Sequence, residues 1–179
     1  MIKADNLKWI IPSKEHSSIS DNSRPCIRII KAEEQYNMEP VDDEKIIELI
    51  NKYLRSLNMP SVANPKVIPI DREIRRFNYS KIKEKYNLAD KRDIVWLKFT
   101  KNKHLIGVIG TSCDINFNFN NTSGKIVSHL KESWDESYVL IFPLSNIPEG
   151  LNRSDIEIGI GNYLIANNIP ILDFYSHNY

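Results

Sequence analysis

The chain contains few of the features that mark a specialised class of protein. Its 179 residues include two cysteines, six glycines and four histidines, and the formal net charge is only +1. No C-x-x-C pair or histidine cluster has the spacing of zinc ligands, and no apolar run approaches the roughly 20 residues that span a bilayer. The sequence therefore predicts no metal site, no cofactor and no membrane span, and the charge gives no general attraction to nucleic acid.

The rest of the composition is that of an ordinary globular protein. Hydrophobic residues make up 41% and charged residues 26% of the chain, and this length predicts a single domain over 1–179 with a substantial core. The start of the chain lacks the pattern of a signal peptide. Cys26 and Cys113 lie in separate apolar-flanked segments, which predicts buried free thiols and a cytoplasmic location. The polar segment 13–25 is predicted to be a flexible loop.

Apolar periodicity predicts helices and strands in alternation. Residues 43–57 have the clearest helical pattern, with Asp42 or Asp43 as the N-cap. The apolar segments 94–99 and 104–110 are predicted to be strands that form one internal antiparallel hairpin. The predicted fold class is accordingly α/β, with a mixed sheet covered by helices.

The most informative stretch is 138–179. A short apolar run, a helical pattern and a second apolar run that begins at Ile169 follow one another there. This order predicts a C-terminal β-α-β unit with two neighbouring parallel strands and a crossover helix. Because ligands often bind at the carboxyl ends of such strands, Ser145 and Asn146 would lie beside the polar residues of the second strand.

Glu157 lies near the start of the predicted crossover helix, where a carboxylate can act as nucleophile or base. The segment Glu157-Ile-Gly, followed by a helix and Ile169-Pro-Ile-Leu, resembles the Glu-Ile-Gly segment of nucleoside deoxyribosyltransferase-like and related base-cleaving folds. That resemblance implies that Glu157 attacks an anomeric carbon; it covers a short part of the chain, and the opening strand of that family is missing. Ser154 and Glu157 also have the spacing of a helix capping box, which gives Glu157 a structural role instead.

Other polar residues follow the predicted strands. Alternation places Asp173 and Tyr175 on one face of the last strand, and His177 beyond them could serve as a general base. The alternative is a polar strand end with a frayed tail. Asp114 ends the polar segment 111–114, which suits nucleophilic chemistry, although residues of this kind also dominate ordinary turns.

Charge is segregated along the chain. Residues 66–103 carry twelve Lys or Arg against five Asp or Glu, a net +7, whereas residues 33–48 carry seven acids against one lysine, a net −6. Within the basic segment, residues 72–92, six cations could form one face for an acidic protein or a phosphate backbone: Arg72, Arg75, Arg76, Lys81, Lys83 and Lys85. The alternative is that the acidic segments neutralise the basic segment within the fold.

These features favour a soluble accessory protein that acts by binding a macromolecular partner through the basic segment. An immunity, anti-toxin or regulatory role fits the size and near-neutral charge, and the high content of Ile, Asn and Lys suggests a bacterial or phage origin. One alternative is an enzyme that acts on a nucleoside, nucleotide or sugar-linked substrate through Glu157. A second alternative is a nucleic-acid-processing protein.

Overall fold

Helices and strands alternate along the chain. The computed structural model describes residues 41–71, 76–77, 79–101, 104–116, 135, 137–169 and 171–174. Within them lie three helices and seven strands, namely α1 (Asp43–Ser56), β1 (Lys66–Val67), β2 (Ile70–Asp71), β3 (Arg76–Phe77), α2 (Tyr79–Lys85), β4 (Ile94–Phe99), β5 (Ile106–Ser112), β6 (Val139–Pro143), α3 (Arg153–Ala166) and β7 (Ile171–Phe174). The predicted α/β class is confirmed, and the loop predicted at 13–25 lies outside the described residues.

The main sheet of the described residues has five strands in the order β1-β6-β4-β5-β7. β1, β6, β4 and β5 are antiparallel to one another as neighbours, and β7 pairs parallel with β5 at one edge. The predicted internal hairpin is confirmed, because β4 and β5 pair antiparallel from Ile94↔Ser112 to Phe99↔Ile106. A separate two-stranded ribbon pairs β2 with β3.

The predicted C-terminal β-α-β unit with neighbouring parallel strands is wrong. β6 pairs with β1 and β4, both antiparallel, whereas β7 lies beside β5. Two strands separate β6 from β7, so at about 4.8 Å per strand the two lie on the order of 14 Å apart. The polar residues Ser145 and Asn146, which follow β6, are therefore not beside β7. An apolar run, a helix and an apolar run in sequence do not encode which strands pair, and β6 pairs with the equally apolar β4.

The centre of the sheet is buried on both faces. Every residue of β4 is buried, as are the first four residues of β6 and the first five of β5. Nearly continuous apolar sequences are typical of strands covered on both sides. Trp96 on β4 lies opposite Gly110 on β5, where a Cβ atom would overlap the indole ring. The glycine thus makes room for the largest side chain of the core.

The helix predicted at 43–57 is confirmed as α1. The Asp42 carboxylate accepts a hydrogen bond from Glu44 N at 3.0 Å and caps the first turn, which satisfies one of the free amides at the start of a helix. Ile46, Ile50 and Leu54 are buried at the predicted helical spacing. The apolar stripe therefore faces the core, as an amphipathic helix requires.

α3 contacts three strands of the main sheet, β4, β5 and β7, and it also contacts α1. The helices approach closely at Gly159, where a Cβ atom would overlap the hydroxyl of Tyr53 on α1. One hydrophobic core joins residues from Ile46 in α1 to Ile171 in β7.

Candidate functional site

Glu157 is fully buried in α3. A nucleophile or base must contact its substrate, and a substrate in solvent cannot reach this buried carboxylate. The predicted capping box is wrong in its residues, because Asn152 is the N-cap. Its side chain accepts from Ser154 N at 2.8 Å and from Asp155 N at 3.1 Å, and the Asp155 carboxylate accepts from Asn152 N at 2.8 Å. Asn caps a helix as well as Ser does, and Asp155 lies at the third helical position, so α3 begins two residues earlier than predicted.

Of the other predicted catalytic residues, only Asp114 has a side chain that the structure describes. The side chain of Asp173 lies outside the described residues, as do Tyr175 and His177. Asp114 is half-buried, and its carboxylate accepts a hydrogen bond from Asn116 N at 2.8 Å. That contact is typical of a structural turn. The catalytic roles of these residues stay predictions.

α2 is the described helix of the basic segment. Residues 72–75 and the Arg76 side chain lie outside the described residues. Ile82 is buried and anchors α2 on the core, whereas Lys81 and Lys85 are exposed. Residues four apart lie on the same face of a helix, so Lys81 and Lys85 are neighbours on the surface.

Among the described residues, the ion pairs of α1 are made with residues outside α2. Asp43, the first residue of α1, pairs instead with Lys66 at 3.0 Å and with His104 at 2.9 Å. Within the described part of the chain, neither the half-buried Lys83 nor Lys85 forms an ion pair. The charges of α2 are thus available to a partner at these two positions.

Asp43, His104 and Tyr138 form a polar cluster where three parts of the fold meet. Asp43 starts α1, His104 lies between β4 and β5 with φ = 49°, and Tyr138 immediately precedes β6. Thr100 N donates to the Leu105 carbonyl at 2.8 Å and closes the turn that holds His104. The polar cluster therefore joins the start of α1 to one end of the main sheet.

The three side chains of the polar cluster lie within hydrogen-bond distance of one another. The Tyr138 hydroxyl donates to Asp43 Oδ2 at 2.6 Å, and His104 Nε2 lies 2.9 Å from Asp43 Oδ1. His104 Nε2 is also 2.9 Å from the Tyr138 oxygen. Lys66 Nζ donates to Asp43 Oδ2 at 3.0 Å and lies 4.0 Å from the centre of the Tyr138 ring. One carboxylate therefore accepts from three different side chains.

The imidazole of His104 is held on its other sides as well. Its ring stacks on Phe99, with ring centres 4.7 Å apart and an angle of 9° between the planes. His104 Nδ1 lies 3.9 Å from Asp135 Oδ2, and both side chains are partly exposed, at 30% and 27%. One ring nitrogen thus faces the partly buried Asp43, and the other faces a carboxylate closer to solvent.

The polar cluster shifts the proton affinities of two of its members. Burial, the largest single influence, acts to raise the pKa of Asp43, but the hydrogen bonds from Tyr138, His104 and Lys66 together lower that pKa below its ordinary 3.8. Burial raises the pKa of Tyr138 well above its ordinary 10.0, and the hydrogen bond to Asp43 and the charges of Asp43 and Asp135 raise it further. At neutral pH, Asp43 is therefore ionised and Tyr138 keeps its proton.

These protonation states determine which nitrogen of His104 carries hydrogen. An ionised carboxylate can only accept, and Tyr138 uses its one proton to donate to Asp43. His104 Nε2 must therefore donate to Asp43, and in the neutral ring Nδ1 is the acceptor nitrogen. A carboxylate that holds one imidazole nitrogen in this way also orients the histidine bases of hydrolases. The polar cluster thus orients the His104 ring, with Nε2 toward Asp43 and Nδ1 toward Asp135.

Sequence reasoning missed the polar cluster. The sequence predicts Asp43 only as a helix cap, and His104 and Tyr138 only as the beginnings of strands. Their side chains meet across 61, 95 and 34 residues of sequence, so no local spacing encodes the contacts. The one available signal is that each residue lies at the end of an apolar element, where polar side chains from different elements can meet.

The described residues contain no group of three His, Cys, Asp or Glu side chains placed to hold a metal ion. Cys113 is a free thiol, but it is exposed. Its predicted burial is therefore wrong, because it follows the last residue of β5, where the chain turns. Cys26 lies outside the described residues. None of the helices in the described ranges has the length and apolar character needed to cross a bilayer.

The fold and the polar cluster define a mixed α/β protein whose main sheet is antiparallel except at its β7 edge. The chain matches no protein-family model, no curated protein and no solved structure. Function is therefore inferred from the residues and their geometry.

Proposed function

We propose that this protein is a cytoplasmic bacterial or phage accessory protein, of the immunity, anti-toxin or regulatory type, that binds an acidic macromolecular partner through the basic segment. The observation that carries the proposal is the placement of α2. Ile82 anchors this helix on the core while Lys81 and Lys85 remain exposed on one face. Cations held on a fixed element steer an oppositely charged partner and orient it on arrival.

The surroundings of α2 support a binding surface. Residues 79–92 carry five Lys or Arg against two acids, a net +3. Lys85 Nζ lies 5.3 Å from the centre of the Tyr86 ring, so aromatic surface is interleaved with positive charge. Tyrosine beside basic residues is a frequent composition for interfaces, since its ring contributes contact area at little cost in conformational entropy.

Charge reversal on α2 tests the proposal. The double variant Lys81→Glu, Lys85→Glu is compared with Lys45→Glu, Lys52→Glu on α1, which changes the net charge equally at exposed positions. Binding of fluorescein-labelled polyglutamate is measured by fluorescence anisotropy at several salt concentrations. The α2 variant should bind roughly tenfold more weakly or worse, and the α1 variant should bind like wild type. Circular dichroism should be unchanged in both variants.

The outcomes separate the proposal from its competitors. Equal losses in the two double variants would mean that binding follows net charge, and an unaffected α2 variant would remove α2 from the interface; either result rejects the proposal. A DNA duplex in the same assay tests the nucleic-acid alternative. Tighter binding of DNA, with a steep dependence on salt, would favour that alternative over an acidic protein.

The enzymatic alternative has no comparable support. Its central residue, Glu157, is fully buried, and Tyr175 and His177 lie outside the described residues. We therefore do not propose catalysis through Glu157.

A further inference from the structure

A small cleft lies beside the C-terminal end of α2. Its volume is about 200 Å³, and its apolar lining comes from the loop before β1, from β1, from the segment after α2 and from β6: Val62, Val67, Tyr86, Leu88, Ile141 and Pro143. Pockets for small molecules and cofactors usually measure about 300–1,000 Å³. This cleft is therefore the size for one side chain.

The walls of the cleft are fixed by hydrogen bonds outside it. The Tyr86 hydroxyl accepts from Ile68 N at 3.0 Å, which holds the ring in place. Val62 N donates to Asn51 Oδ1 at 2.8 Å, and Asn51 Nδ2 donates to the Val62 carbonyl at 3.0 Å. A cleft that is already formed lowers the entropic cost of binding.

The cleft favours insertion of a side chain over addition of a strand. Pro143 lines it and has no amide hydrogen, so a partner strand cannot continue the sheet at this position. Ile141 N already donates to the Pro65 carbonyl at 2.7 Å. A partner is therefore recognised here by contact of its side chain with the apolar walls of the cleft.

Two lysines lie at or beside the cleft. Lys91 contributes to its lining, and Lys85 lies over the ring of Tyr86, another lining residue. Lys91 Nζ is 3.9 Å from Asp90 Oδ1, but both side chains are exposed, and ion pairs of this kind contribute little. The rim therefore complements a partner that carries carboxylates.

We infer that the partner is an acidic polypeptide that inserts one large apolar side chain into this cleft while its carboxylates meet Lys85 and Lys91. This inference rests on the proposed function and names the kind of partner. A central apolar anchor with a polar rim is the arrangement in which interfaces concentrate their binding energy. Walls made mainly of branched aliphatic side chains suit such an anchor better than a nucleobase, which binding proteins hold by stacking on aromatic rings.

Two labelled peptides provide the test. One is a short run of aspartate and glutamate with a single central phenylalanine, and the other carries serine at that position. Anisotropy measures affinity, and methyl NMR reports which side chains are contacted. The phenylalanine peptide should bind about tenfold more tightly than the serine peptide. It should also shift the methyl resonances of Val62, Val67, Leu88 and Ile141.

A cleft-filling variant with a matched control sharpens the test. Asn64 is exposed and lines the cleft, whereas the neighbouring Ala63 is exposed and does not. Asn64→Trp should abolish the preference for phenylalanine over serine, and Ala63→Trp should leave it intact. Neither change removes a core residue, so both proteins should keep the circular dichroism spectrum of wild type.

Failure of this inference is distinguishable from failure of the proposed function. If the two peptides bind alike and both lose affinity in Lys81→Glu, Lys85→Glu, charge binding stands and the apolar anchor is wrong. A preference for phenylalanine that survives Asn64→Trp also rejects the cleft. If neither peptide depends on the two lysines, the proposed function falls as well. If a DNA duplex binds more tightly than the phenylalanine peptide, the partner is a nucleic acid and not an acidic polypeptide.

Discussion

A single carboxylate governs the state of its neighbours in the polar cluster. Asp43 accepts from Tyr138, His104 and Lys66. Burial alone would make its ionisation unfavourable, and these three donors reverse that effect. The same carboxylate keeps the proton on the Tyr138 hydroxyl, and it places the hydrogen of the neutral His104 ring on Nε2. Removing it should therefore change properties of residues that remain chemically intact.

The tautomer of His104 is a direct consequence. In neutral His104 we expect hydrogen on Nε2, since Asp43 can only accept at 2.9 Å. Long-range ¹H–¹⁵N correlation spectra distinguish the two tautomers by their nitrogen shifts. In Asp43→Ala the acceptor is lost, and the spectra should change toward a mixture of both tautomers.

Asp135→Ala is the matched control for that measurement. Asp135 lies 3.9 Å from Nδ1, the nitrogen that should carry no hydrogen in the neutral ring. The Nε2–H tautomer should therefore persist in this variant. Hydrogen on Nδ1 in wild type, or a tautomer unchanged by Asp43→Ala, would contradict the assignment.

At the scale of elements, the contact between α1 and α3 depends on Gly159. Alanine at this position gains helix propensity of about 1 kcal/mol over glycine. Its Cβ atom would overlap Tyr53, whose ring packs 5.6 Å from that of Tyr163, and overpacking of this kind costs about 1–3 kcal/mol. We expect Gly159→Ala to lower the free energy of unfolding by about 1 kcal/mol, measured by urea denaturation.

Two further variants separate overpacking from other effects of the substitution. Asn162 is exposed on the same helix, so Asn162→Ala should change stability by no more than about 0.5 kcal/mol. Tyr53→Phe removes the hydroxyl that a Cβ at Gly159 would meet. Combined with Gly159→Ala, it should recover part of the loss, which makes the two changes non-additive. Strict additivity, or a stabilised Gly159→Ala, would show that α1 can move away at no cost.

Local patterns predicted elements and the one pairing across a short turn, but not the partners of β6 and β7. The stripe Ile46, Ile50 and Leu54 predicts α1, and two apolar runs with a short polar connection predict the hairpin of β4 and β5. The partner of β6 depends on contacts far away in sequence, and the apolar run 139–142 fits any buried position in a sheet. The N-cap of α3 shows the same limit at a finer scale, because Asn152 and Ser154 are both good caps and only the geometry selects Asn152.

The candidate sites divide in the same way across the whole molecule. The basic segment could be recognised because its charges lie close together in sequence, and Lys81 and Lys85 are exposed on one face of α2. Its role in binding stays a prediction. The polar cluster could not be recognised, because its members come from α1, the β4–β5 turn and the start of β6. The cleft beside α2 likewise arises from segments that meet only in the folded chain. What the sequence predicts is therefore the composition of local surfaces, and what folding adds is their convergence.

The stability of the whole molecule should depend on pH through Asp43. Its pKa is lower in the folded state than the ordinary 3.8, so its contribution is present above about pH 4 and is lost as the pH falls through the folded value. Asp43→Asn should reduce the free energy of unfolding by about 1–3 kcal/mol at pH 7, as expected for lost hydrogen bonds to a charged group. As the pH falls below 3.8, the difference between the two proteins in urea denaturation should shrink progressively. A difference that is constant from pH 7 to pH 3 would contradict this linkage.

Tyr138 makes the stability of the protein depend on pH at the alkaline end. Its pKa is raised in the folded state, so its contribution is present below the ordinary 10.0 and is lost as the pH rises from there toward the folded value. Above pH 10 the unfolded chain releases this proton while the folded protein retains it, and wild type should lose stability. Tyr138→Phe should be less stable than wild type at pH 7 yet depend less on pH above 10. The pKa values of Tyr53 and Tyr79 are also raised by burial, so part of the alkaline loss should remain. Tyr79→Phe leaves the polar cluster intact and serves as the comparison. A reduction there equal to that in Tyr138→Phe would assign the effect to buried tyrosines in general.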